Sequence, residues 1–151
     1  MTKNCLFLFT LLFLAFTSGK VHARPCARFY NDSISLFVEQ VEEFPAFATG
    51  NFSARPKRGY KFIGVYLQLT NKTGESQEVD LKSIFLADTA YRVKYAPEYV
   101  MQTGLITFLQ KSRKQIKSGD SLHRRLVYCI PEDLYPTYLF YNDTRVAVKI
   151  K

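Results

Sequence analysis

Catalytic side chains are scarce in this chain of 151 residues. It has no tryptophan, two histidines and three cysteines. It also lacks a glycine-rich phosphate loop, a run of carboxylates spaced for a metal ion, and a nucleophile elbow. These absences predict a protein that is not an enzyme and that uses no cofactor. Hydrophobic residues make up 47% of the chain, which excludes disordered and collagen-like classes of sequence.

The remaining acidic and basic groups form no catalytic constellation in the sequence. His123 lies on a predicted strand, without a serine or cysteine at a spacing typical of a nucleophile and its base. Glu42 and Glu43, like Glu132 and Asp133, are neighbours that point to opposite faces of a strand or into water. A hydrolase with a dispersed site around His123 is therefore the least favoured function.

A long apolar run near the start of the chain indicates export. Residues 5–16 are almost entirely apolar, and a polar stretch after them ends in Val21-His22-Ala23. This pattern predicts a signal peptide over residues 1–23, cleaved after Ala23. The run is shorter than the roughly 20 apolar residues of a membrane anchor. No second long apolar run follows Ala23, so we expect a secreted or periplasmic protein without a transmembrane segment after cleavage.

Cleavage would leave two cysteines, Cys26 and Cys129, in a compartment that permits disulfides. An even pair there favours a bridge between the N-terminal segment, residues 24–32, and a strand near the C-terminus. Two unpaired thiols are the alternative. A zinc site is disfavoured because zinc requires three or four ligands, and His123 is the one further soft ligand in the chain after residue 23.

Apolar and polar residues alternate with a period of two over most of the chain after the leader. The clearest strand spans residues 60–70, where Ile63, Val65, Leu67 and Leu69 share one face. Residues 33–41 also alternate, and a change of phase at Val41 predicts a β-bulge. Further strands are predicted at residues 77–81, 84–86, 91–95, 121–130, 138–141 and 145–150, with irregular stretches at 44–59 and 96–119.

About seven or eight short strands separated by turn residues are typical of an immunoglobulin-like antiparallel β-sandwich. We assign this all-β fold to residues 33–151. A closed β-barrel is the architectural alternative.

Five segments, taken in order, resemble a known family. They are residues 59–71 (GYKFIGVYLQLTN), 84–88 (IFLAD), Tyr95, 116–120 (IKSGD) and 126–131 (LVYCIP). Their order and spacing are similar to those of the telokin-like extracellular immunoglobulin-fold family, catalogued as domain of unknown function 4352. The resemblance implies a sandwich domain on secreted or envelope proteins, mostly bacterial, with no catalytic residue to carry over. The chain departs from the family pattern after residue 88, where the turn lacks its usual glycine.

Positive charge exceeds negative charge, since the chain has 21 lysines and arginines but 13 aspartates and glutamates, for a net charge of +8. Loops at one end of a sandwich often converge, so basic clusters in two irregular stretches predict a composite anion-binding patch. The alternative is that these charges are merely solvated. The six residues of the predicted patch are Arg55, Lys57, Arg58, Lys111, Arg113 and Lys114.

The asparagines after residue 23 all stand in N-glycosylation sequons. They are Asn31, Asn51, Asn71 and Asn142. In a eukaryote these residues would carry glycans on loops, whereas in a bacterium they would be turn residues.

The predicted function is a secreted or periplasmic, non-catalytic binding or interaction module. Its expected partner is another protein, which surface tyrosines favour, or an acidic envelope or polysaccharide surface. The tyrosines expected at the surface are Tyr91, Tyr95, Tyr99, Tyr135 and Tyr138. A polyanion binder that uses the basic clusters is the alternative function. The predicted export of the protein argues against nucleic acid as its partner.

Overall fold

The computed structural model describes residues 28–49, 52–88, 92–103, 109–141 and 144–148. The predicted signal peptide lies outside them. These residues form thirteen strands and one short 3-10 helix, Leu81–Ser83, with no α-helix among them. The strands are β1 (Arg28–Phe29), β2 (Ile34–Phe44), β3 (Phe47–Thr49), β4 (Phe52–Ala54), β5 (Tyr60–Asn71), β6 (Gln77–Asp80), β7 (Phe85–Ala87), β8 (Lys94–Tyr95), β9 (Tyr99–Gln102), β10 (Arg113–Ile116), β11 (Ser121–Pro131), β12 (Tyr138–Tyr141) and β13 (Thr144–Ala147).

Two antiparallel layers enclose the core. One is a five-stranded sheet with the order β1-β2-β5-β11-β9. The other contains a four-stranded sheet, β13-β12-β7-β8, and the two-stranded β10-β6. No strand pairing among the described residues joins the layers into a closed barrel. The prediction of an all-β antiparallel sandwich is therefore confirmed. The predicted N-terminal segment contributes β1, which joins the larger sheet beside β2.

The central strand β5 has the predicted parity. Ile63, Val65, Leu67 and Leu69 are fully buried and point between the layers. Apolar residues of the second layer pack against them from the 3-10 helix, from the residue after it and from β6, β7 and β12. Tyr128 on β11 also links the layers, since its hydroxyl donates a hydrogen bond of 2.8 Å to the carbonyl of Ile84. The opposing apolar residues are Val79, Leu81, Ile84, Leu86 and Leu139.

The predicted bulge in β2 is also confirmed. The pairing of β2 with β5 shifts register between Val38 and Gln40. Because one extra residue enters β2, Val41 returns to the buried face that Ile34 and Leu36 occupy earlier in the strand.

Two stretches predicted to be irregular contain strands. The hairpin β3-β4 lies in the first stretch and packs on the outer face of the five-stranded sheet, where Phe47 contacts Phe62 and Tyr99 at ring-centroid distances of 5.6 and 5.2 Å. In the second stretch β9 has neighbouring buried residues, Val100 and Met101. Both of its faces are covered, so burial removes the alternation that would have marked it as a strand.

Buried tyrosines make the sandwich sensitive to alkali. Burial raises the pKa of Tyr128 well above its usual value, and burial, followed by the hydrogen bond to Glu42, raises the pKa of Tyr66 to about 12. The native state therefore keeps these protons after the unfolded chain has lost them near pH 10. The contribution of Tyr66 to stability is fully present below about pH 10 and is lost as the pH rises through about 12. The contribution of Tyr128 is likewise fully present below about pH 10 and decreases as the pH rises above it.

We expect the free energy of unfolding, measured with urea, to fall between about pH 10 and pH 12. Absorbance of tyrosinate at Tyr128 should appear only as the sandwich unfolds. The Tyr128→Phe variant should show a smaller loss of stability over the same range. A native protein in which Tyr128 ionises near pH 10 would contradict this account.

Candidate functional site

An open cleft lies at the end of the sandwich where β5 begins and β11 ends. The last residues of β2, the segment between β4 and β5, and the loop after β11 form its walls. Its volume is about 760 Å³, within the size range of small-ligand sites. We call it the end cleft. Its cationic and aromatic residues are Phe44, Arg55, Lys57, Arg58, Tyr60, Lys61 and Tyr135.

A tight turn positions the basic residues of the end cleft. The amide of Tyr60 donates to the carbonyl of Lys57 at 2.9 Å, and the amide of Glu132 donates to the carbonyl of Gly59 at 3.0 Å. Gly59 has φ 78°, which glycine adopts without the steric cost that other residues incur. These bonds attach the segment before β5 to the loop after β11, so both walls of the end cleft are joined by backbone contacts.

Three cations of the end cleft are free to meet a ligand. Arg55, Lys57 and Arg58 are exposed, and none of them has an ion-pair partner in the part of the chain that the structure describes. The carboxylates among the lining residues are those of Glu43 and Glu132. Positive charge therefore exceeds negative charge in the end cleft.

Lys61, the fourth cation, has a different role. Its side chain is 8% exposed and its Nζ lies 3.1 Å from Oε2 of Glu43. The same Nζ lies 4.3 Å from the centroid of the Tyr135 ring, close enough for a cation–π contact. Because Glu43 neutralises Lys61, this lysine supports the ring rather than adding an open charge to the end cleft.

Sequence reasoning placed Tyr135 among the surface tyrosines but assigned no role to Lys61. Lys61 has the same parity on β5 as Ile63 and pairs with the buried Ile130 of β11. The alternation predicts an apolar residue there, so a charged side chain at that position was the available signal for Lys61. An aromatic residue in a loop directly after a strand was the available signal for Tyr135.

The other three residues of the predicted anion patch lie elsewhere. The carbonyl of Ile116 on β10 accepts a bond from the Asn71 side chain at the far end of β5, and β5 is about 37 Å long at 3.4 Å per residue. Arg113, also on β10, lies 3.6 Å from Asp80 in an ion pair. The six basic residues thus divide into the end-cleft group and the β10 group, Lys111, Arg113 and Lys114.

The outer face of the larger sheet carries a polar network centred on Glu42. Arg125 Nη2 and the Tyr66 hydroxyl donate to the same oxygen of Glu42, at 2.8 and 2.7 Å. The guanidinium lies 4.1 Å from the centroid of the Phe44 ring. A Cβ at Gly64 would stand 2.8 Å from Nε of Arg125, so the glycine makes room for this contact. The network stabilises the sheet and leaves little open charge for a ligand.

His123 lies on this outer face and not in the end cleft. Its Nδ1 is 2.8 Å from Oε1 of Glu39, while the Ser121 hydroxyl bonds Thr70 and Gln68. The hydrolase hypothesis therefore gains no support from the surroundings of His123. Within the described ranges, no group of three or more histidine, cysteine, aspartate or glutamate residues is arranged to hold a metal ion, and no helix there is long and apolar enough to span a membrane.

Cys129 points away from the main core, as its parity predicts, and packs with Phe62 on the outer face. Cys26 lies outside the described residues, so the predicted disulfide stays a prediction. The position of β1 argues against it: Arg28 aligns through β2 with Leu69 of β5, whereas Cys129 pairs with Phe62. Leu69 and Phe62 are separated by about 24 Å along β5, so a bridge to Cys129 would require β1 to leave β2.

The two described sequons have different environments. Asn31 is exposed, and its Oδ1 accepts bonds from the amides of Ser33 and Ile34. Asn71 is 1% exposed, and its Nδ2 donates to the carbonyls of Glu75 and Ile116. The nitrogen to which a glycan would be attached is thus occupied at Asn71. Asn51 and Asn142 lie outside the described residues.

Comparison with known proteins supports the fold and no more specific relationship. No family model matches the chain, and no curated protein matches it. An uncharacterized β-sandwich protein from Clostridium difficile 630 is similar in structure, with a TM-score of 0.53, 10% identity, and coverage of 76% of this chain and 83% of that one. A conserved hypothetical protein from Bacillus anthracis has a TM-score of 0.58, 20% identity, and coverage of 83% and 94%. The chain therefore shares a β-sandwich fold with these two bacterial proteins.

Proposed function

We propose that this protein is an exported, non-catalytic binding module of immunoglobulin-like topology that holds an anionic partner in the end cleft. The observation that carries the proposal is the grouping of Arg55, Lys57 and Arg58, exposed and unpaired among the described residues, on one wall of an open cleft. The apolar run of residues 5–16 supports export.

The strand order supports the immunoglobulin-like assignment and the telokin-like resemblance. In an immunoglobulin domain one sheet has the order A-B-E-D and the other contains C, F and G. If β2, β5, β7, β9, β11, β12 and β13 are lettered A to G along the chain, the order β2-β5-β11-β9 reads A-B-E-D and matches the first sheet. The order β13-β12-β7 then reads G-F-C and matches the second sheet. Loops at the ends of such sandwiches are common binding surfaces, and the end cleft occupies one of these ends.

Electrostatics favour an anionic partner over a neutral one. Three like charges on a concave surface concentrate their field in the cleft and attract anions from solution. This attraction acts over about 8 Å at physiological ionic strength, which is comparable to the width of a cleft of this volume. The β10 group lacks this arrangement, since Arg113 is paired with Asp80.

The two basic groups provide a matched test. A variant with Arg55, Lys57 and Arg58 replaced by glutamine should lose retention on an anionic matrix at about 0.15 M salt. A control variant with Lys111, Arg113 and Lys114 replaced by glutamine removes the same number of positive charges and should stay bound. Circular dichroism of both variants checks that the sandwich is intact. Equal elution of the two variants would contradict the proposal.

A further inference from the structure

We infer that the end cleft binds an acidic polysaccharide, with the ring of Tyr135 stacked on a sugar and the free cations bound to its carboxylates. This inference rests on the proposed function and specifies its ligand. It depends on the exposed aromatic rings, which the anion-binding proposal does not use.

The first argument is the exposure of Tyr135. Its side chain is 70% exposed although it lines a cleft, and aromatic side chains are typical of the walls of ligand-binding clefts. One side of the ring meets Lys61 Nζ at 4.3 Å. A ring held in this way on a paired and buried lysine presents a platform whose orientation is set before a ligand arrives, which reduces the entropic cost of binding.

The second argument is the combination of groups around that platform. Tyr60, also in the end cleft, is 39% exposed, and the turn at Gly59 attaches it to Lys57 through a backbone hydrogen bond of 2.9 Å. Aromatic and cationic groups are therefore adjacent and joined by the same turn. A ligand that uses both must have flat apolar faces and negative charges along one chain.

A polymer of uronic acids meets both requirements. The C–H face of a pyranose ring is apolar and packs on the negative face of an aromatic ring. Its carboxylate is a planar acceptor, which matches the forked donors of Arg55 and Arg58. An acidic peptide offers carboxylates without rigid apolar rings, so it would leave Tyr135 uncovered.

The test compares polymers that differ in one feature at a time. Titration calorimetry with the protein after removal of residues 1–23 uses a short oligogalacturonate, its methyl-esterified form and polyglutamate. We expect the oligogalacturonate to bind at least about tenfold more tightly than either of the others. Tyr135→Ala should weaken oligogalacturonate binding by about tenfold, a typical effect of losing one stacked ring, and leave polyglutamate binding unchanged. Tyr135→Phe keeps the ring and should bind nearly as the parent protein does.

The outcomes separate this inference from the function on which it rests. If polyglutamate, anionic vesicles or single-stranded DNA bind as tightly as oligogalacturonate, or if Tyr135→Ala has no effect, the polysaccharide inference is wrong while anion binding stands. If no anion binds, or if the Arg55, Lys57 and Arg58 variant binds as the parent does, the proposed function itself is wrong.

Discussion

Replacement of Leu67 by alanine is expected to lower the free energy of unfolding by about 2 to 5 kcal/mol. Leu67 is fully buried at the middle of β5, between β2 and β11. Removal of its branched side chain loses apolar burial and leaves a cavity between two rigid sheets, which cannot close around it. Urea unfolding monitored by circular dichroism measures the change.

The neighbouring Gln68 provides the control. It points to the outer face, where its Nε2 donates a bond of 3.1 Å to the exposed Ser121 hydroxyl. Gln68→Ala should change the free energy of unfolding by no more than about 0.5 kcal/mol, as is usual for surface positions. Equal losses at Leu67 and Gln68 would mean that the parity of β5 is wrong, since a slip by one residue exchanges the two faces.

Replacement of Asn71 by alanine is expected to cost about 2 to 4 kcal/mol, because several buried polar groups lose their partners together. The Asn71 side chain donates to Glu75 and Ile116 and accepts from the amide and the hydroxyl of Thr73. These bonds connect the turn after β5 to β10 in the second layer. Urea unfolding of Asn71→Ala beside Asn31→Ala measures the effect.

Asn31 is the matched control because it stands in the same type of sequon but is exposed. Its alanine variant loses two bonds of a local turn, which water replaces, and should cost about 0.5 to 1 kcal/mol. Similar losses at both positions would refute the structural role of Asn71. By the same argument, we expect peptide mapping of folded protein from a eukaryotic host to show no glycan at Asn71.

The alternation of residues 60–70 was sufficient to predict β5 and its buried face, and the change of phase within residues 33–41 predicted the bulge in β2. These features are local, because a strand with one face toward a core must place apolar residues at every second position. The sequence did not predict the hairpin β3-β4, whose strands have three residues each. Strands this short cannot show a period of two.

The sequence by itself determined that the chain has few histidines and cysteines, an excess of basic residues and strands that form an all-β antiparallel sandwich. The tertiary structure alone decided which polar residues meet. It placed Arg55 in the same cleft as Tyr135 and Arg113 on β10 in the second layer, and it buried Asn71 while leaving Asn31 exposed. The physical reason is that alternation reports only whether a residue faces the core, whereas the end cleft is built by contacts between segments far apart in the chain.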